Sequence, residues 1–167
     1  WLTGNQMERG GYEDVFKRDF NNDGITGAPP AVDDNGDGLI DDSSTYKLFK
    51  EDDAIDLTNS RGGSFSDRTS VFWNITQASA TETGFEVLLE GEGQRGAGRY
   101  QVWSTDGSGV IIDQTRWLTG NQMERGGYED VFKRDFNNDG ITGAPPAVDD
   151  NGDGLIDDSS TYKLFKD

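Results

Sequence analysis

The sequence predicts a mainly β chain with a minor helical part (α+β). The expected unit is an antiparallel β meander or small sandwich of about four to six strands per repeat, with one short broken helix and acidic loops at the junction between repeats. Three observations predict it. β-Branched and aromatic runs with period-two alternation recur between residues 44 and 118. Glycine-centred turn signals separate those runs. Residues 1–50 reappear letter for letter as residues 117–166, so the chain is organised by a repeat.

The offset between copies is 117 − 1 = 116 residues, so 167 residues hold one period and part of a second. A period of this length is one ordinary domain, large enough for its own core, unlike the short unit of a solenoid. Natural copies drift first in surface loops, where substitution costs little. Fifty identical positions therefore mean recent duplication, gene conversion or deliberate engineering. With no initiating Met, signal peptide or tag, the chain reads as a window on a longer array. The expected division is residues 1–30 as the end of one repeat, 31–142 as a complete repeat, and 143–167 as the start of the next.

Each element has its own signal. Residues 119–134, and their copy 3–18, carry Met123, Tyr128, Val131 and Phe132 among charged residues. Tyr128, Val131 and Phe132 fall at i, i+3 and i+4, one apolar helical stripe against a sheet. Gly126-Gly127 interrupts the pattern, which predicts two short helices. All four prolines lie in Pro29-Pro30 and Pro145-Pro146, and proline pairs stiffen a chain, which places the junction there. Strand-like runs follow at 45–49, 71–75, 85–90, 99–103 and 110–112. Val71, Trp73 and Ile75 share one face, as do Phe85, Val87 and Leu89. Turns are expected at Thr83-Gly84, across 91–98, and at Asp106-Gly107-Ser108-Gly109, the last as a hairpin loop.

Composition narrows function by exclusion. The net charge is −17, from 32 acidic against 15 basic residues, which disfavours nucleic acid and anionic lipid as partners. No apolar run is long enough to span a bilayer, so no membrane insertion is expected. Histidine and cysteine are absent, removing the commonest general base, the commonest transition-metal ligand and the thiol nucleophile. No nucleophile–base pair is recognisable, and the expectation is a protein that is not an enzyme.

The acidity concentrates in loops that flank the proline pair. One is Asp19-Phe20-Asn21-Asn22-Asp23-Gly24-Ile25, copied at 135–141; the other is Asp33-Asp34-Asn35-Gly36-Asp37-Gly38-Leu39-Ile40-Asp41-Asp42, copied at 149–158. Both fit D-x-N-x-D-G, the opening of a calcium loop. Side-chain oxygens are expected from Asp19, Asn21 and Asp23, from Asp33, Asn35, Asp37 and Asp41, and from the copies Asp135, Asn137, Asp139, Asp149, Asn151, Asp153 and Asp157. Backbone carbonyls are expected from Ile25, Leu39, Ile141 and Leu155, whose apolar side chains would anchor each loop in the core. Position 12 holds Pro30 or Ser44 instead of a bidentate Glu. The loops thus resemble the shortened calcium loops of dockerins and thrombospondin type 3 repeats, with Glu13, Asp14 and Asp42 as candidate further ligands. The competing reading is a solvated acidic turn, since Asp, Asn and Gly are turn residues anyway. Residues 33–42 hold five aspartates and no basic residue. Each close pair costs roughly 1 kcal/mol in water and about 4 at an effective dielectric near 20. A bound Ca2+ offsets that repulsion.

Two other motifs are weaker. Gly91-Glu92-Gly93-Gln94-Arg95-Gly96 matches a dinucleotide fingerprint in letters, but a strand run follows where a helix is needed, and Glu90 and Glu92 repel phosphate. A hairpin loop is expected. Asn74-Ile75-Thr76 is a glycosylation sequon inside a strand run. Trp73, Trp103 and Trp117 read first as core residues; stacking on a sugar is the alternative.

Trp73-Asn74, Gly84-Phe85-Glu86-Val87-Leu88-Leu89, Gly98-Arg99-Tyr100-Gln101-Val102-Trp103 and Gly127-Tyr128-Glu129 through Asp135-Phe136-Asn137-Asn138-Asp139-Gly140 occur in that order. In this the chain resembles the tryptophan-rich repeat domain of large secreted cyanobacterial and other aquatic bacterial proteins, over residues 71–141. The resemblance implies export, extracellular or cell-surface residence, and no known catalytic activity. The function expected is therefore a calcium-binding structural tandem-repeat module of a long secreted or surface protein: a fibre, adhesin stalk or surface-layer component. Its expected partners are neighbouring repeats and a homopolymer built by strand complementation. The alternative is an extracellular polysaccharide-binding module using exposed tryptophans.

Overall fold

The computed structural model describes residues 1–22, 24–27, 31–40, 44–51 and 53–144, with the side chains of Arg9 and Arg95 excepted. Among them lie α1 (Gly4–Arg9), α2 (Tyr12–Phe16), β1 (Lys47–Lys50), β2 (Asp53–Asp56), β3 (Trp73–Ala80), β4 (Gly84–Gly91), α3 (Gly93–Gly96), β5 (Tyr100–Asp106), β6 (Ile111–Gln114), α4 (Gly120–Arg125) and α5 (Tyr128–Phe132). The fold is mainly β, as the alternation predicts. β3, β4, β5 and β6 form an antiparallel meander in sequence order, and β1 and β2 form a separate two-stranded hairpin.

The meander follows from short turns. Thr81 and Gly84 close the β3–β4 hairpin through a backbone bond of 2.8 Å, and the Thr81 hydroxyl accepts the Gly84 N–H. Asp106 closes the β5–β6 turn by accepting the N–H groups of Ser108 and Val110. The 91–96 stretch departs from a plain loop: it contains the single turn α3, and Glu92 N–H donates to the carbonyl of Phe72. Of the run expected at 71–75, only Trp73 onward is strand, and Val71 and Phe72 stay exposed before it.

Alternation along β4 and β5 splits the core in two. Phe85, Val87, Leu89 and Trp103 point to one face, where Leu39, Leu48, Leu57, Ile75 and Ala78 close a cluster beneath the small hairpin. Leu88 and Val102 point the other way, against Leu118, Met123, Phe132 and Phe136. The sheet is thus covered on both faces, by β1–β2 with its loops and by α4–α5. Each fully buried Leu, Val or Phe contributes about 1.5–3 kcal/mol.

The break at Gly126-Gly127 is where the sequence puts it. Thr119 caps α4 in a capping box with Gln122. Gly127 then adopts a φ of 75°, left-handed backbone that favours glycine, and turns the chain into α5. The buried stripe comprises Met123 and Phe132, with Tyr128 and Val131 packed beside them. Arg134 ends the element, pairing with Glu90 of β4 at 2.5 Å and stacking over the rings of Tyr100 and Phe136.

Residues 1–22 and 24–27, identical in sequence to 117–138 and 140–143, fold locally in the same way. Thr3 caps α1 with the same capping box, Gly11 has a φ of 70°, and the Phe16–Phe20 rings meet edge-on at 6.2 Å, as Phe132 and Phe136 do. Their tertiary setting is different. Leu2, Val15 and Phe16 are 55%, 71% and 61% exposed, whereas Leu118 and Phe132 are 9% and 2% exposed.

Candidate functional site

The acidic loop at 33–39 is a run of side chain to backbone bonds. Asp33 accepts the N–H groups of Gly36 (2.8 Å), Asp37 (3.1 Å) and Gly38 (2.8 Å). Asn35 Oδ1 accepts from Asp37 N–H, and Asp37 Oδ1 accepts from Leu39 N–H. The loop is fixed to the sheet: Ala78 N–H donates to the Asp37 carbonyl at 2.7 Å, and Phe49 N–H to the Gly38 carbonyl at 2.9 Å. Leu39 is buried in the core beneath the hairpin, the anchor expected at position 7.

The loop at 135–143 repeats the pattern on a different base. Asp135 accepts the N–H groups of Asn138 and Gly140, Asn137 Oδ1 accepts from Asp139, and Asp139 Oδ1 accepts from Ile141. Its copy keeps the Asp19 bonds to the N–H groups of Asn22 and Gly24, with Asn21 and Ile25 following in sequence. Here position 7 is no anchor: Ile25 and Ile141 are 39% and 40% exposed. A buried carboxylate does that work. Glu129, fully buried, accepts Phe136 N–H at 2.8 Å and Gly143 N–H at 2.9 Å; Glu13 binds Phe20 and Gly27 likewise, at 2.7 and 3.1 Å. Glu13, expected as a further metal ligand, therefore faces backbone donors with both oxygens. Asp14 and Asp130 lie close against Gly27 and Gly143, where a Cβ would stand 2.8 and 2.7 Å from their Oδ1 atoms.

The donors at positions 1, 3, 5 and 7 of each loop are two carboxylates, an amide oxygen and a backbone carbonyl. That hard oxygen set suits Ca2+ or Mg2+ and not a soft transition metal. Among the described residues, no three acidic side chains gather at one point in a metal-holding group. Asp23, Asp41, Asp42, Asp149, Asn151, Asp153, Leu155 and Asp157 lie outside the described residues.

The tryptophans divide. Trp103 is 6% exposed and packs on Phe65 at 5.0 Å and edge-on against Trp73 at 5.3 Å, a core position. Trp117 is 36% exposed. It lines a cleft of about 410 Å³ with Phe72, Trp73, Glu92, Arg99 and the backbone of Gly91 and Gly96. Sequence reading marks the tryptophans but misses Phe72, which lines the cleft and whose carbonyl accepts the Glu92 N–H. On the sheet face toward α5, burial pushes the Glu86 carboxyl above its ordinary range; the charge of Asp113 adds to this and a bond from Ser104 opposes it. Burial, with a hydrogen bond to Asp67, raises the Tyr46 hydroxyl.

Comparison of the chain with protein-family models, with curated proteins and with solved structures finds no significant match. No helix among the described residues is long and apolar enough to cross a membrane.

Proposed function

We propose that the chain is a calcium-binding structural tandem-repeat module of a long secreted or cell-surface protein, one that builds a fibre, stalk or surface layer. The observation that supports it most is the fifty-residue identity, which copies both acidic loops and the proline pair between them. Asp19 and Asp135, the first residues of two copies of the D-x-N-x-D-G sequence, each bridge two backbone N–H groups, those of Asn22 and Gly24 and those of Asn138 and Gly140. In this reading Asp135, Asn137, Asp139 and the Ile141 carbonyl hold one ion, and Asp33, Asn35, Asp37 and the Leu39 carbonyl another. A Ca2+ ion supplies charge neutralisation there, and binding energy becomes folding energy at the junction. At a free concentration of one hundred Kd, one site adds about 2.7 kcal/mol. Calorimetric titration and melting with Ca2+ or EDTA test it. The expected outcome is heat on titration and a melting temperature lowered by chelation, both lost when all four loops are disabled in Asp19→Ala/Asp33→Ala/Asp135→Ala/Asp149→Ala. Unchanged melting in EDTA with no titration heat refutes it.

A second reading has its own observation. Phe72, Trp73 and Trp117 present aromatic surface in one cleft beside Arg99 and Glu92, a combination suited to stacking and hydrogen bonding a sugar. Under this reading the chain retains extracellular polysaccharide. Trp117→Ala that folds normally but loses retention on a polysaccharide column supports it; unchanged retention refutes it.

A further inference from the structure

Resting on the polysaccharide reading of the cleft at Trp117, we infer that its ligand is a uronate, a sugar bearing a carboxylate, carried in an otherwise neutral glycan and selected by Arg99. The cleft is built on a row across three neighbouring backbone segments. Trp73 pairs with Gly91 in register, and the Gly91 N–H donates to the Arg99 carbonyl at 2.8 Å. The side chains of Trp73 and Arg99 thus flank a residue that has none, and all three residues line the cleft. A Cβ at Gly91 would collide with the Gly96 carbonyl oxygen, so this floor stays bare. Two strand spacings, about 9–10 Å, separate the outer backbones, room for one pyranose ring between them.

Aromatic surface supplies the stacking. Phe72 and Trp117 are 74% and 36% exposed. Arg99 and Trp117 each stand one residue before Tyr100 and Leu118, which exchange two backbone bonds at 2.9 and 2.7 Å. Both therefore turn to the opposite face from that pair. The backbone that carries them is fixed before a ligand arrives, which lowers the ordering cost of binding.

Charge selects the ligand. The chain holds 32 acidic against 15 basic residues, yet the exposed Arg99 joins none of the ion pairs among the described residues. Glu92 lines the same cleft and does not pair with it. A guanidinium left unpaired beside aromatic surface offers a fork that fits a carboxylate through two parallel hydrogen bonds. The ionised Glu92 only accepts hydrogen bonds, and suits a hydroxyl on another edge of the same sugar. A net charge of −17 repels a polyanion, so the carboxylate recognised is an isolated one in a neutral chain.

The experiment titrates the full chain with cellobiuronic acid, a uronate joined to glucose, and with neutral cellobiose, following the indole N–H resonances by NMR. The uronate should bind more tightly than cellobiose by roughly tenfold to a hundredfold, the range of a charge-assisted hydrogen bond. Arg99→Gln should erase that preference and leave cellobiose binding as in the parent, and Arg99→Lys should keep part of it. Trp117→Ala should lose both sugars with the fold intact. Equal affinity of the parent for the two sugars overturns the uronate, and a preference that survives in Arg99→Gln overturns its selection by Arg99; either result leaves the polysaccharide reading standing. A parent chain that binds neither sugar refutes the polysaccharide reading, and the uronate with it.

Discussion

Glu13 and Glu129 are the same residue in the same local structure, so removing each in turn separates local from tertiary stability. Glu129→Ala leaves the N–H groups of Phe136 and Gly143 without their acceptor inside a buried site. A hydrogen bond to a charged group contributes about 1.5–3 kcal/mol, and an orphaned buried donor costs about 1–3. Two such donors give a loss of about 3–6 kcal/mol, a large share of a domain stability of about 5–15. Because Phe136 packs on Phe132 and Tyr100, the loosened loop also disturbs the core between sheet and helices. The melting temperature should fall by roughly 12 °C or more.

Glu13→Ala removes the same two bonds, to Phe20 and Gly27, where Phe16 and Leu2 face solvent. Its expected effect on the melting of the sheet is nil, although the 1–27 segment itself unravels. Urea denaturation followed by near-ultraviolet dichroism measures the first; amide hydrogen exchange of Phe20 and Gly27 measures the second. Equal loss of global stability in the two variants refutes the reasoning, because it would mean that both copies bear on the core. No loss in either would refute the role given to the buried carboxylate.

Three further outcomes are expected. Gly38→Ala should destabilise by at least about 2 kcal/mol, because left-handed backbone costs a side chain about 1–2 and the new Cβ would collide with the Ala78 carbonyl oxygen; Gly140→Ala, with the same sign of φ and open space, should cost only the conformational part. Trp103→Ala should cost about 3–5 kcal/mol by urea denaturation, as for other buried aromatics, and a wild-type midpoint would deny its core role. Glu86→Gln should raise the melting temperature at pH 7 and leave it unchanged at pH 3: burial raises the folded-state carboxyl, so folding favours the neutral form, and its contribution fades as pH climbs through the raised value. An equal effect at both pH values would contradict that assignment.

Much of the fold was legible because its determinants are local. β4 and β5 alternate cleanly between two cores, and Gly126-Gly127 stops a helix that Tyr128 restarts. β2 escaped notice because Asp53–Asp56 offers one half-buried apolar residue, Ile55, and is held by its partner β1. The exposed Val71 and Phe72 have strand composition but no sheet partner, since their neighbour is the α3 turn. In the acidic loops, the Asp, Asn and Gly spacing foretold the turn. It could not reveal that Leu39 anchors one loop while Ile141 leaves the other to Glu129, because that contrast depends on β3 lying against the first loop and not the second. A buried Glu looks in sequence like any charged helix residue; only the backbone donors seven and fourteen residues downstream distinguish it.

The repeated segment is a controlled comparison built into one chain. Capping box, glycine turn, buried carboxylate and ring pair all form at 1–27 without a covering sheet, so they are products of local sequence and owe nothing to the β core. What the core adds is burial: the side chain at Phe16 or Phe132 goes from 61% to 2% exposed with no change in sequence.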